Sequence, residues 1–206
     1  MKNAQQLPLE LCPHCNISHP TLTSCGSVQT RTYNGSNPRF WTTYSCSSCG
    51  GVTLTAAPVH PHGMAQEIEA IYPTAKTVAD EIPERARGYL TQALSSCKAP
   101  SGAIMLTACA VDSMMKDKGY KDGSLYARID QAAKDHLITP EMALWAHEVR
   151  LDANEQRHVD EDLPLPTVTD SDKTVEFATA LGQFLYVLPA MIMRGRMPKD
   201  DSTDNA

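Results

Sequence analysis

Arg150, Asn154 and His158 stand at i, i+4 and i+8 in the segment ALWAHEVRLDANEQRH (Ala143–His158). If that segment is helical, the spacing puts all three on one stripe. Arginine grips phosphate oxygens with a planar fork, asparagine orients, and histidine moves a proton near neutral pH. The three are therefore candidate catalytic residues for chemistry at a phosphate. A plain solvated helix face gives the same spacing, so the pattern needs support from elsewhere. Eight residues of helix hold the outer two backbones about 12 Å apart. Both side chains must lean toward Asn154, or a twofold mate must set a second such helix alongside.

Cysteine supplies the second chemistry. Cys12-Pro-His-Cys15 and Cys46-Ser-Ser-Cys49 are two CxxC knuckles separated by 30 residues. Together they offer four thiolates, a tetrahedral set suited to a structural Zn2+ ion with no position left for a catalytic water. Gly50-Gly51 allows a sharp turn after the second knuckle. Asn34-Gly35 marks a hairpin between the β-formers Thr32, Tyr33, Phe40, Trp41, Thr43 and Tyr44. The expected result is a small β zinc ribbon. Zinc there staples a segment too small to fold alone; Arg31, Arg39, Phe40 and Trp41 could also grip phosphate or stack on bases, or simply form the ribbon's core and rim. His14 and His19 are reserve ligands that four cysteines make unnecessary. Cys25 has no partner in the pattern, and Cys97 and Cys109 read as small buried apolar residues.

The remaining chain must position these groups. Ile82-Pro83 opens a helix with an apolar stripe of Ala86, Tyr89, Leu90, Ala93 and Leu94, broken at Pro100-Ser101-Gly102. Ala103–Gly119 is apolar almost all round and should be the central helix. Asp112 lies within it, and Arg150 is its expected partner. A short helix follows Gly123-Ser124 and ends near His136, where a cation suits the dipole. Thr139 as N-cap and Pro140 at N1 open the helix that carries the stripe; His147 on it reads as a satisfied histidine beside Trp145. A last helix spans Lys173–Arg194, with Pro189 as a possible kink. The expected division is a ribbon at 1–56, a proline-rich linker at 57–80 that includes His60, His62 and Gly63, a helical bundle at 81–197 and a disordered polar tail at 198–206. The fold class is mainly α.

Charge and composition narrow the partners. The net charge is −6, divided as +2 over residues 1–60 and −8 over the remainder. An acidic body does not attract nucleic acid without a local basic site. No apolar run of membrane-spanning length and no signal segment stands out, which argues for a cytoplasmic protein with no membrane partner. Seven cysteines without an export signal argue against a disulfide framework.

The segments GYKDGSLYARID (Gly119–Asp130), LITPEMALWAHEVRLDANEQRH (Leu137–His158) and FLYVLPAMI (Phe184–Ile192) resemble a bacterial domain of unknown function grouped with the HEPN superfamily. The resemblance covers Ile82–Arg194, and the CPxC and CSSCGG knuckles are similar to ribbons that often precede that domain. It implies a HEPN-like helical bundle, commonly a homodimer. Many active members of the superfamily are metal-independent endoribonucleases of phage defence and related systems. Arg150 and His158 match the family's Arg and His, with Asn154 as the polar residue; Leu151 stands directly after the arginine, where many active members have Asn. The implied function is RNA binding or cleavage, in defence or stress response. The alternative is a non-catalytic dimeric interaction module whose ribbon binds a protein or nucleic-acid partner.

Overall fold

The computed structural model of the chain describes residues 1–59, 67–157 and 164–196. His158 and the acidic segment after it, His60 and His62, and the tail from Pro198 lie outside the described residues. The chain divides into two compact units, Met1–Lys76 and Thr77–Ala206.

The first unit is a four-stranded antiparallel sheet in the order β1 (Leu22–Thr30), β2 (Arg39–Cys46), β3 (Val52–Pro58), β4 (Ala70–Tyr72). Asn34-Gly35 turns the chain between β1 and β2, with Gly35 at φ 78° and its N–H donating to the Thr32 carbonyl. Along β2, Thr42, Tyr44 and Cys46 are buried while their neighbours are half-exposed, the alternation of a strand with one covered face. Leu7, Cys12, Leu22, Tyr44 and Cys46 form its core. That cluster is small for a free-standing unit. β4 falls inside the stretch whose prolines suggest a linker; Ala70, Ile71 and Tyr72 pair with Ala56, Thr55 and Leu54 of β3.

The second unit is helical: α1 (Glu84–Ser95), α2 (Pro100–Asp117), α3 (Leu125–Lys134), α4 (Pro140–Glu155), α5 (Val168–Gly182), a π-helical turn (Gln183–Val187) and α6 (Leu188–Arg196). As its composition suggests, α2 is central, packed by α1, α3, α4 and α5. It buries Ile104, Ala108, Val111, Met114 and Met115 among Leu90 of α1, Ile129 of α3, Val149 of α4 and Phe177 of α5.

Two helix starts differ from the sequence reading. Pro100 does not break a helix but begins α2 at the first-turn position, where a missing N–H costs nothing. α5 starts at Val168 rather than Lys173, because Thr167 and Asp170 form a reciprocal capping box: the Thr167 Oγ accepts from the Asp170 N–H, and Asp170 accepts from the Thr167 N–H. The π turn precedes Pro189, and the Leu188 N–H reaches back to the Gln183 carbonyl. The combined helix Val168–Arg196, 29 residues, is long and apolar enough to cross a membrane by length and composition, which corrects the expectation that no such run exists. A third of its most apolar window is buried in the protein, and the core helices of soluble proteins pass the same test.

Thr167→Ala removes one half of the capping box. It is expected to lower unfolding stability by about 1 kcal/mol, read as a reduced urea midpoint at unchanged slope; an unchanged midpoint would contradict the role given to this cap.

Candidate functional site

The four knuckle cysteines come together. Cys12, Cys15, Cys46 and Cys49 place their sulfur atoms within 4.8 Å of one another, with Cys12 Sγ and Cys49 Sγ 4.0 Å apart. The two knuckles fold alike. In each, the residue after the second cysteine has a left-handed backbone, Asn16 at φ 52° and Gly50 at φ 71°. Its N–H donates to the carbonyl of the first cysteine, at 3.0 Å for Asn16 to Cys12 and 2.8 Å for Gly50 to Cys46. The Gly51 N–H points at Cys49 Sγ, 3.4 Å away. Such a group could hold a metal ion.

His14 clamps the two knuckles. Its Nε2 donates to the Val52 carbonyl at 2.8 Å, and its ring lies so close over Gly51 that a Cβ there would fall 2.5 Å from His14 Cγ. Thus Gly50 is needed for its φ, whereas Gly51 is needed for its missing side chain. Outside the cluster, the Cys25 thiol faces the Thr43 carbonyl and hydroxyl. Arg39 pairs with Glu69 at 2.9 Å, and Trp41 donates to Thr30 at 2.8 Å and lies 6.4 Å from the Tyr72 ring. Phe40 is half-buried and Arg31 exposed.

The thiols differ in acidity. Burial pushes Cys12 up to about 12. Burial also disfavours the Cys46 thiolate, but the Cys49 and Ser48 N–H groups and the Cys12 and Cys49 thiols outweigh it, bringing Cys46 down to about 7. A cation entering the cluster must displace the proton of Cys12 in either case.

In the helical unit, Asp112, Tyr126, Arg128, Arg150, Asn154 and Arg157 line a cavity of about 300 Å³, floored by Ala108 and Ala153. Asp112 does not pair with Arg150, as the sequence suggested. Its Oδ1 accepts from Arg128 at 2.6 Å and its Oδ2 faces Lys116 at 2.6 Å. Arg128 also donates to the carbonyls of Gly123 at 2.6 Å and Lys121 at 3.2 Å, and is only 12% exposed. It is therefore a fastened cation. Arg150 is different. Its guanidinium carbon sits 5.4 Å from the centre of the Tyr126 ring, and its Nε, like that of Arg128, is buried without a hydrogen-bond acceptor among the described residues. Unlike Arg128, it has no carboxylate partner among the described residues, and a buried N–H of a charged group is costly to leave unpaired.

Asn154 and Arg157 are exposed at the cavity rim. α4 ends at Glu155, with the Arg157 N–H donating to the Asn154 carbonyl. The helix therefore does not carry the stripe through to His158, which lies outside the described residues. His147 packs on Tyr126, ring centres 4.6 Å apart, and donates from Nε2 to Asp130 at 3.0 Å. Trp145 packs on Phe177 instead. The spacing did not single out Tyr126, Arg128 or Arg157 as site residues. Arg157 follows Arg150 by two helical turns and was legible on that ground; Tyr126 and Arg128 come from α3 and are joined to the site only by packing.

The fold and sites define a two-unit protein, a β unit with a four-cysteine cluster that could hold a metal ion and a helical bundle with an arginine-lined cavity. Residues 91–197 match the model of the family described as a domain of unknown function (DUF4145), and the chain belongs to that family. No curated protein and no solved structure matches it.

Two outcomes follow for the cluster. Gly51→Ala should displace His14, break its bond to Val52 and lower metal retention against a chelator, while Gly102→Ala, a position with open space, should not. Metal loading should also release about one more proton at pH 6 than at pH 8, because Cys46 is still protonated at pH 6 and already ionised at pH 8. Affinity then falls as pH drops. Calorimetry in two buffers of different ionisation enthalpy reads the difference; equal release would contradict the assigned acidity of Cys46.

Proposed function

We propose that the helical unit is HEPN-like and binds RNA through a backbone phosphate held in the Arg150 cavity. The observation that carries this reading is the convergence of Arg150, Asn154 and Arg157 on one cavity beside an arginine already neutralised by Asp112. Arg150 meets a phosphate oxygen with its unpaired Nε and fork, Arg157 adds charge at the rim, and Tyr126 offers an aromatic wall. The local cation excess answers the acidic charge of the body, which by itself would repel RNA.

Cleavage is the further step proposed for this site. The RNA 2′-oxygen bonds to the adjacent phosphorus as the 5′-oxygen leaves, giving a 2′,3′-cyclic phosphate and a 5′-hydroxyl. His158 moves the proton, Arg150 offsets charge on the phosphorane, and Asn154 orients the phosphate. The ion of the cluster is proposed to be zinc, held by Cys12, Cys15, Cys46 and Cys49 to staple the ribbon, with no part in the reaction. The proposed setting is cytoplasmic, in phage defence or stress response. The second reading, a non-catalytic dimeric module whose ribbon binds a protein or nucleic-acid partner, is favoured by the large apolar side chains exposed on α4 and α6.

Cellular RNA incubated without added divalent metal separates these readings. Wild type should bind RNA, and Arg150→Ala should weaken binding roughly tenfold or more. Cleavage with cyclic-phosphate ends, lost in both His158→Ala and Arg150→Ala, supports the nuclease. Binding without turnover leaves an RNA-binding module, and equal affinity of wild type and Arg150→Ala would contradict the phosphate site.

A further inference from the structure

α2 has a cavity on each side of Asp112. The first is the Arg150 cavity. The second, of about 350 Å³, lies between α2 and α1, and Cys109 and Asp112 line both. Its other walls include Arg85 and Tyr89 of α1, and Ser113, Lys116 and Asp117 of α2. Charge separates the two. In the first, Arg128, Arg150 and Arg157 face the one carboxylate of Asp112. In the second, Arg85 and Lys116 are balanced by Asp112 and Asp117. An anion is drawn to the first. The second suits a neutral, flat group with hydrogen-bonding edges, set against the half-buried Tyr89.

We propose that this second cavity receives a guanine base, carried by a nucleotide next to the phosphate in the Arg150 cavity. This rests on the phosphate contact proposed for Arg150 and adds a sequence preference to it. The carboxylates decide the base. Both oxygens of Asp112 are engaged, by Arg128 and Lys116. Asp117 is exposed, and its Oδ2 accepts from the Tyr186 hydroxyl at 3.0 Å. That tyrosine belongs to the π-helical turn, a distortion frequent at functional sites, and it steadies the carboxylate. Asp117 Oδ1 has no partner among the described residues, so the carboxylate can still accept from a ligand. Guanine places N1–H and its N2 amino group side by side on the Watson–Crick edge, and adenine, cytosine and uracil have no such pair of donors. A carboxylate meets that pair as it meets the fork of an arginine. The opposite edge of guanine offers O6 and N7, the acceptors that arginine and lysine read most often. Guanine is therefore the base that uses both signs of charge in the cavity: Asp117 accepts from N1–H and N2, Arg85 and Lys116 donate to O6 and N7, and Tyr89 walls the ring.

Fluorescence anisotropy on the full chain tests it, with short labelled oligouridines that carry one central guanosine, adenosine or cytidine, or none. The quantity read is the ratio of affinities for the guanosine RNA and plain oligouridine, because loss of a carboxylate strengthens binding of every sequence alike. Wild type is expected to prefer the guanosine RNA roughly tenfold or more. Asp117→Asn keeps an acceptor for Tyr186, and so the fold, but sets an amide N–H against the donors of guanine; the preference should vanish. Arg85→Gln, at an exposed position, should reduce it. Arg150→Ala should weaken binding of all four RNAs. Thermal melts establish that each variant is folded. A wild type that binds the four RNAs equally overturns the guanine site and leaves the phosphate contact standing. So does an Asp117→Asn protein that keeps the full preference, or a wild type that prefers adenosine or cytidine. A wild type that binds none of them overturns both.

Discussion

Asp112 decides which arginine of the helical unit is free to act. Its two oxygens are committed, one to Arg128 and one to Lys116. Arg128, so anchored, also binds the carbonyls of Lys121 and Gly123. That fixes the chain where it enters α3, and hence Tyr126 on the first turn of that helix. Tyr126 then faces the guanidinium of Arg150, which comes across from α4 without a carboxylate partner among the described residues. Had Asp112 reached Arg150, the cavity would hold a neutral pair, with little to offer an anion. A half-buried ion pair on α2 and α3 thus creates a cationic cavity in a chain whose net charge is negative.

The two units are stabilised in different ways. The helical unit has a large contiguous core centred on α2. The hydrophobic cluster of the β unit is small, Leu7, Leu22 and Tyr44 with the metal-ligand candidates Cys12 and Cys46. Its strands are held by a cluster whose knuckles share one turn geometry and are locked by His14 lying on Gly51. A metal ion held by that cluster would add its binding free energy to the stability of the unit.

Much of this was legible because it is local. The two CxxC knuckles, the Asn34-Gly35 turn and the Thr139-Pro140 helix start are each written in neighbouring residues. The Thr167–Asp170 capping box is equally local, and it starts the last long helix at Val168, ahead of the apolar pattern that points to Lys173. The end of α4 was misplaced because no glycine or proline follows it before Pro164, so the polar spacing ran on to His158. β4 was hidden in proline-rich composition. The partner of Asp112 was out of reach in principle: the choice among Arg128, Arg150 and Lys116 depends on how α3 and α4 approach α2, which periodicity does not specify. Membership of the DUF4145 family fixes the domain and leaves its chemistry to be argued from this cavity.

The central claim is that Arg150, without an ion pair among the described residues, meets the anion while Arg128 is held by Asp112. Side-chain ¹H–¹⁵N spectra of the arginine Nε–H groups, assigned by substitution and recorded while a short single-stranded RNA is added, test it most directly. The account predicts that the Arg150 Nε–H resonance moves with saturable dependence on RNA while that of Arg128 stays in place. An Arg150 resonance that does not move while the RNA binds elsewhere on the chain would contradict it.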